Sequence, residues 1–276
     1  MTFTIITPSY NMLPYLKLCH QSITDQNKVQ FEHIVMDGNS TDGTQNWLQD
    51  QQLIHKSEPD SGMYDAINKG FAMASGDIIA YLNCDEQYLP GTLAAVDSYF
   101  ESHPDVDILF GHALITNPDG MLICFRKAYQ PRKHFIMASH LYTLSCTMFF
   151  RRKIVDQGIA FDTDYQSIGD MKFVLDLLMK GYKATYLNQY LSIFTWTGNN
   201  LSADKRSMVE MEKIKKTFPG WVTKFEKPIN WLRWIEKLIS GAYFSTPTLS
   251  YEIYTQGSPK ERTAFTHQNP DHKWPN

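Results

Sequence analysis

Four acidic stations punctuate this chain, each where an apolar run gives way to a turn or a helix entrance. Asp37 follows His33-Ile34-Val35-Met36 and opens Gly38-Asn39-Ser40-Thr41-Asp42-Gly43-Thr44. Glu58, Asp60 and Asp65 gather around Ser61-Gly62, and the spacing of Asp65 and Asn68 puts both on one helical face. Asn83-Cys84-Asp85 comes straight after the apolar run Ile78 to Leu82, and Gly169-Asp170 opens a segment carrying Met171, Val174, Leu177 and Leu178 on one stripe. Carboxylates at the ends of buried strands can hold a divalent cation through oxygen, accept hydrogen bonds from a ligand, or take a proton. Plain structure suits the same positions: Asp37 closing a turn, Asp60-Ser61-Gly62 forming one, Asp65 meeting a helix dipole, Asp170 capping a helix.

The elements that must position these residues alternate. Phe3 to Thr7 is a short β-rich run stopped by Pro8, and Leu16, Cys19 and Ile23 share a helical stripe. Phe31 to Met36 reads as a strand, Trp47 and Leu48 sit on a helix that Thr41 or Asp42 caps, and Leu53 to Lys56 reads as an edge strand. Met63, Ala66, Ile67, Phe71 and Ala74 keep helical spacing until Gly76, and Ile78 to Leu82 suits a buried parallel strand. This β-α alternation predicts a parallel sheet wrapped by helices through right-handed crossovers. Past a helix near Thr92 to Phe100, strands are expected at Asp107–Phe110, Ala113–Thr116 and Met121–Phe125, the last pair joined by the turn Asn117-Pro118-Asp119-Gly120. A further helix runs from Asp170 to Lys180 and stops at Gly181.

Taken in order, Thr7-Pro8-Ser9-Tyr10-Asn11, Asp37 to Thr44, Ser57 to Gly62, Tyr64-Asp65-Ala66-Ile67-Asn68-Lys69-Gly70 and Gly76 to Asp85 resemble the N-terminal half of the family 2 glycosyltransferases. The likeness covers roughly the first two hundred residues. It implies an α/β enzyme of GT-A fold, a Rossmann-like and mostly parallel sheet flanked by helices. It also implies an inverting reaction that moves a sugar from a nucleoside-diphosphate-sugar donor to a hydroxyl of a glycan or lipid-linked saccharide acceptor, as in polysaccharide biosynthesis. Thr7, Pro8, Tyr10, Asp37, Asp60, Asp65, Asn68, Asn83 and Cys84 then become nucleotide-sugar contacts, with Asp37 on the nucleobase and Thr7, Pro8 and Tyr10 framing base and ribose. Asn83-Cys84-Asp85 occupies the place of the family's DxD motif, which makes Asp85 the expected ligand of Mg²⁺ or Mn²⁺. Asn83 departs from the motif, keeping an oxygen and losing a charge. Glu86 either adds a second charge or is solvated. Asp170 stands where relatives carry their general base, and Asp176 where many carry a basic residue.

A chain of 276 residues is expected to hold a catalytic domain over 1–200 and a helical C-terminal region over 201–276 with a flexible tail from about Gln256. Its net charge of −3 is uneven: between Lys205 and Lys237 nine Lys and Arg face four Glu, leaving −8 for the remainder. That block suits a solvated face, an anionic acceptor or an anionic membrane surface. From Ile229 to Phe244, Asn230, Arg233, Lys237 and Ser240 form one line with Trp231, Leu232, Trp234, Ile235, Leu238 and Ile239 around the rest. Residues 221–244 are therefore read as either a peripheral membrane contact or a packed helix. Cys19, Cys84, Cys124 and Cys146 show no CxxC pairing and read as free thiols. With no secretory leader visible and no run near the ~20 apolar residues of a membrane span, the expectation is a cytoplasmic protein, peripheral at the inner face of the membrane.

His140 is read as lining a sugar pocket or as structural, and Arg151 and Arg152 as meeting phosphate or solvent. No nucleic-acid partner is expected. Zinc spacing, Gly-x-Ser-x-Gly, Walker and Gly-x-Gly-x-x-Gly patterns are absent, which removes support for a nucleophilic hydrolase, a P-loop enzyme and a Rossmann dehydrogenase. A nucleotidyltransferase would show a Gly-rich phosphate loop that Thr7 to Asn11 lacks. A catalytically inactive nucleotide-sugar or carbohydrate-binding scaffold stays open because of Asn83.

Overall fold

The computed structural model describes residues 1–198 and 206–274. Its first half runs β1 (Thr2–Ser9), α1 (Leu13–Thr24), β2 (Gln30–Asp37), α2 (Thr44–Gln49), β3 (Ile54–Ser57), α3 (Met63–Phe71) and β4 (Ile78–Tyr81). The second half of the sheet follows as β5 (Glu86–Tyr88), α4 (Thr92–Ser102), β6 (Ile108–Thr116), β7 (Leu122–Arg126), α5 (Lys133–Ala138), β8 (Phe149–Arg151), α6 (Lys153–Asp156), α7 (Gly169–Met179) and β9 (Ala184–Thr195).

Strands β3, β2, β1 and β4 lie side by side in parallel. Their apolar runs are continuous because both faces of this half are covered. On one face Ile6, Ile34, Ile79 and Tyr81 pack with Ile67 and Phe71 of α3 and Phe173 and Val174 of α7. On the other, Phe3, Ile5, Ile78 and Ala80 pack with Cys19 and Ile23 of α1 and Val96 and Phe100 of α4. A fully buried side chain of this size contributes about 1.5–3 kcal/mol relative to exposure, so the two-sided core is what holds the strand ends still.

Beyond β4 the sheet becomes mixed. β8 runs antiparallel between β4 and β6, β6 pairs in parallel with β9, β5 closes the far edge antiparallel to β9, and β7 lies along β6. The two strands expected at 107–116 are one strand whose pairing with β9 slips between Phe110 and His112, at Gly111. This is the mixed α/β architecture the GT-A expectation required.

The C-terminal region corrects one expectation. It is helical over α8 (Arg206–Lys215), α9 (Gly220–Lys224) and α10 (Glu226–Ile239), but Thr248–Thr255 and Ser258–Gln268 form the antiparallel hairpin β10–β11 where a helical extension with a loose tail was expected. The hairpin is held because alternate residues Leu249, Tyr251 and Ile253 bury against Leu89, Leu114, Phe125 and Ile193, while Arg262 donates two hydrogen bonds to the Asp25 carboxylate at 2.6 and 2.9 Å. The helices join the main core through Ile214, Val222 and Ile229.

Helix α10 is turned opposite to a soluble amphipathic helix. Asn230 and Arg233 face the protein, bonding the Ala138 carbonyl and the Tyr129 hydroxyl at 2.8 and 3.3 Å. Trp231, Leu232, Trp234 and Ile239 face outward, Ile239 being 80% exposed.

Candidate active site

The parallel strands end on one side of the sheet, and their first loops interlock. Asp37 ends β2 almost fully buried, its carboxylate accepting the Ser40 N–H, while its carbonyl accepts Glu58 N–H at 3.0 Å. The Gly38 N–H donates to the Ser9 carbonyl at 2.8 Å. Gly38 admits no side chain, since a Cβ would stand 2.7 Å from Asp60 Oδ2 and 3.3 Å from the Tyr10 ring. Tyr10, 64% exposed, and Asp60 therefore flank Gly38 and the buried Asp37. Asp42 ties the layout together by accepting Leu13 N–H at 2.8 Å and the Thr44 hydroxyl at 2.6 Å.

Asp65 accepts the Ser61 N–H at 3.0 Å and pairs with Lys69, whose ammonium also reaches the Pro59 carbonyl. The Ser61 and Lys69 bonds hold its carboxyl below the usual range. It braces the acidic loop more than it opens onto the cleft.

Four expected nucleotide contacts are spent elsewhere. Thr7 is fully buried, its hydroxyl against His33 at 2.9 Å and Cys19, because side chains alternate along β1 and this one faces α1. Pro8 is likewise buried within β1. Cys84 turns inward on Met12, Leu16, Val35 and Leu48, and burial pushes its thiol well up, so it is an inert hydrophobe. Asn68 exchanges two 2.9 Å hydrogen bonds with the backbone of Phe161, fastening α3 to the segment before α7. All four described cysteines are free and buried.

Between β4 and β5 the chain turns through Asn83 to Asp85. The Asn83 N–H donates to Glu86 Oε2 at 2.8 Å, and Glu86, expected in solvent or as a second charge, has no exposed surface. Burial raises the proton affinity of Asp85, and burial followed by the Asp85 charge raises that of Glu86 further. Asn83 Oδ1 and Glu86 Oε1 are buried with no hydrogen-bond partner. Buried acceptors are rarely left so, and such orphans mark a place for a water, an ion or a ligand.

Asp170 approaches from the other side of the sheet's end. It lies in the first turn of α7, its carboxylate accepting Met171 N–H at 2.7 Å and its own N–H donating to the Tyr64 hydroxyl at 3.0 Å. Burial pushes its carboxyl up to about 6, against those bonds. Glu86 feels the Asp170 charge as well as that of Asp85, and the buried Tyr81 hydroxyl feels both Asp170 and Glu86. Glu86 is thus within electrostatic reach of both Asp85 and Asp170.

What sets Asp170 there is a close helix approach. A Cβ on Gly169 would stand 2.5 Å from the Tyr64 ring, and Tyr64 in turn stacks on Phe161, which stacks on Phe173. Glu210 of α8, invisible to local sequence patterns, accepts the N–H groups of Gln166, Ser167 and Ile168 at 2.9, 2.9 and 3.0 Å. It satisfies donors that the helix entrance leaves open.

His140 lies with Arg126, Arg233 and Lys237, whose charges together with burial lower its pKa to about 4. Arg151 is a structural side chain, donating to the carbonyls of Val106, Phe100 and His103. Asp176 pairs with Lys172 on α7. Among the described residues no group of three or more His, Cys, Asp or Glu is placed to hold a metal, so a cation would have few protein ligands: Asp85, with Asn83 Oδ1 and Glu86 Oε1 as unsatisfied oxygens beside it. Hard oxygen donors of this kind fit Mg²⁺ or Mn²⁺ that take their remaining ligands from a substrate and water.

A sheet with acids at this edge and a helix-borne aspartate opposite defines a glycosyltransferase of GT-A type, and the chain belongs to glycosyl transferase family 2, whose model matches residues 4–160. A PGL/p-HBAD biosynthesis glycosyltransferase of Mycobacterium bovis is 33% identical over 121 residues, which are 41% of this chain and 47% of that protein. TuaG of Bacillus subtilis, assigned to teichuronic acid biosynthesis, is 26% identical over 208 residues, covering 73% of this chain and 82% of TuaG. The match spans less than half the length of the mycobacterial relative. Among solved structures, S. aureus TarS has a similar fold at a TM-score of 0.61 and 21% identity, covering 78% of this chain and 39% of TarS. The mannosyltransferase PcManGT of Pyrobaculum calidifontis, solved with GDP-Man and Mn²⁺, is similar at 0.57 and 18%, covering 89% of this chain and 76% of that one.

The Gly169 contact makes the first prediction. Gly169→Ala forces the α7 entrance away from Tyr64 at a cost of about 1–3 kcal/mol. Thermal denaturation should show a lowered Tm and steady-state kinetics a lowered kcat, whereas unchanged values in both would show that the approach does not position Asp170.

Proposed function

We propose that this glycosyltransferase moves a sugar from a nucleoside-diphosphate-sugar to an acceptor hydroxyl with inversion, Asp170 acting as general base and Asp85 holding a divalent cation. The observation that supports this reading is Glu86, fully buried and reached by the charges of both Asp85 and Asp170. A TarS fragment has been solved with UDP-GlcNAc and PcManGT with GDP-Man and Mn²⁺, which supports the donor class.

Tyr10, Asp37 and Asp60 would hold nucleobase and ribose, Tyr10 through its exposed ring face and Asp37 as acceptor. Asp60 sits over Gly38, where a ribose can come close to backbone. A bound Mg²⁺ or Mn²⁺ would neutralise charge growing on the departing diphosphate. Asp170 would orient the acceptor hydroxyl and take its proton as the new C–O bond forms, a contribution of typically about 10²–10⁴-fold. Its raised proton affinity suits that task near neutral pH.

Asp170→Asn should abolish transfer while calorimetric donor binding persists, and near-normal turnover in that variant would remove the base assignment. A base must be ionised to act, so kcat/KM of the parent enzyme should rise with pH through about 6 and level off above it. A profile flat from pH 5 to 8 would contradict this. Asp85→Ala should weaken donor binding in Mn²⁺ and leave the weaker binding seen in chelator unaltered, and equal titrations in Mn²⁺ for parent and variant would remove the ligand role.

A peripheral membrane contact through 221–244 is supported by the outward row Trp231, Leu232, Trp234, Leu238 and Ile239 with Lys224 and Lys227 nearby. A phospholipid surface would bring the enzyme to a lipid-linked acceptor. No helix among the described residues is long and apolar enough to cross a membrane. The double variant Trp231→Ser/Trp234→Ser should lose co-sedimentation with anionic phospholipid vesicles without loss of Tm, and full retention on vesicles would refute the contact.

A further inference from the structure

The inward face of α10 carries a second site. Arg126 at the end of β7, Arg233 and Lys237 are each half-buried, and rings join them: Lys237, one turn from Arg233, lies over Tyr243, which packs on His272, which packs on Phe125 beside Arg126. They are close enough that each weakens its neighbours' hold on charge: burial first, then Arg126 and Arg233, lower the Lys237 pKa to about 8, and Arg233 acts likewise on Arg126. Like charges gathered out of water are costly, yet among the described residues none of the three pairs with a carboxylate. Arg126 lies over the Trp274 ring at 5.3 Å and Lys237 over the Tyr243 ring at 4.3 Å, while Arg233 donates to Asn230 and to the Tyr129 hydroxyl.

The carboxylates in the vicinity are engaged elsewhere. Glu236, next to Lys237 on the helix, is held by Arg132 at 2.7 Å. Asp271, whose carbonyl accepts the Phe125 N–H, turns its carboxylate onto the N–H groups of His272 and Lys273. Three positive charges thus lie among aromatic rings with no carboxylate partner among the described residues.

We infer that Arg126, Arg233 and Lys237 form a binding site for a phosphate group carried by the acceptor. A carboxylate brings one negative charge, whereas a phosphate monoester brings about −1.5 to −2 with several oxygens for guanidinium forks and an ammonium to meet. Only the latter approaches the charge the three side chains present. Position agrees with this use. β7 is three strand steps from β5, through β6 and β9, which is roughly 14 Å at ordinary strand spacing. Across the sheet the site is therefore separated from Glu86 by about two or three sugar lengths. It is also the reverse face of the helix whose outer side exposes Trp231 and Trp234, so a lipid-borne phosphate and a phosphate on a soluble saccharide are the two sources of the same chemistry.

This inference rests on the transferase reading only in calling the ligand an acceptor, and its test is independent of turnover. Isothermal titration of the full chain with inorganic pyrophosphate, in chelator so that metal-dependent donor binding is silent, should show binding. The double variant Arg233→Gln/Lys237→Gln should weaken it by about 100-fold, each lost charge-assisted contact accounting for about tenfold. Lys237→Arg, which keeps the charge, should retain it. Donor-induced thermal stabilisation of the double variant in Mn²⁺ reports that it is folded, and failure of that signal in the parent protein would count against the donor reading and not against this site. A second arm uses phosphatidylcholine vesicles with and without phosphatidic acid. Loss of phosphatidic-acid-dependent binding in the double variant assigns the phosphate to a lipid, whereas pyrophosphate binding without vesicle preference assigns it to a soluble acceptor. Pyrophosphate binding that is absent in the parent, or unchanged in the double variant, overturns the site.

Discussion

Glu86, an acid with no exposed surface next to Asp85 and within reach of the Asp170 charge, is the constraint to which the rest of the molecule answers. Burial raises the proton affinity of all three, and the charges of Asp85 and Asp170 raise that of Glu86 further. Such a buried acid is relieved by positive charge or by protons, and both are what a reaction that forms a diphosphate leaving group and removes a hydroxyl proton would bring to it. The cost is borne by the two-sided core beneath. Phe161, Phe173, Tyr64 and Phe150 lock α3, α7 and the sheet into one stack, so that the acids cannot relax apart.

The opposite electrostatic condition holds under α10. There Arg126, Arg233 and Lys237 have no carboxylate partner among the described residues, and the helix that supplies two of them shows its apolar side to the outside. The acidic recess and the cationic recess are joined by the edge of the sheet: β5 leaves Glu86, pairs with β9, and β9 runs beside β6, which carries β7 and Arg126. Phe194, paired with Glu86, meets Trp274, over which Arg126 lies. A saccharide spanning the two recesses would cross mainly aromatic and backbone surface.

Much of the architecture was legible because apolar periodicity in the first half is unambiguous and each turn is marked by Pro, Gly or Asp. The places of Asp85 after a strand and Asp170 at a helix start were legible because apolar runs mark both boundaries. Thr7, Cys84 and Asn68 misled because a motif gives position along the chain and not the direction of a side chain. Thr7 faces α1, Cys84 a small core, and Asn68 the Phe161 backbone. Glu210 left no local signal, since its partners lie 42 to 44 residues away. The final hairpin was missed because its strand alternation is diluted by charged and polar residues that face solvent.

Sequence alone determined the order of elements from β1 to β4, the family, and which residues of α10 share a face, since these follow from spacing along one chain. Tertiary structure alone decided which face of α10 meets protein, that Glu86 is buried, and that Arg126, Arg233 and Lys237 converge. Those depend on contacts between segments more than a hundred residues apart, and their energies arise only when water is excluded between them.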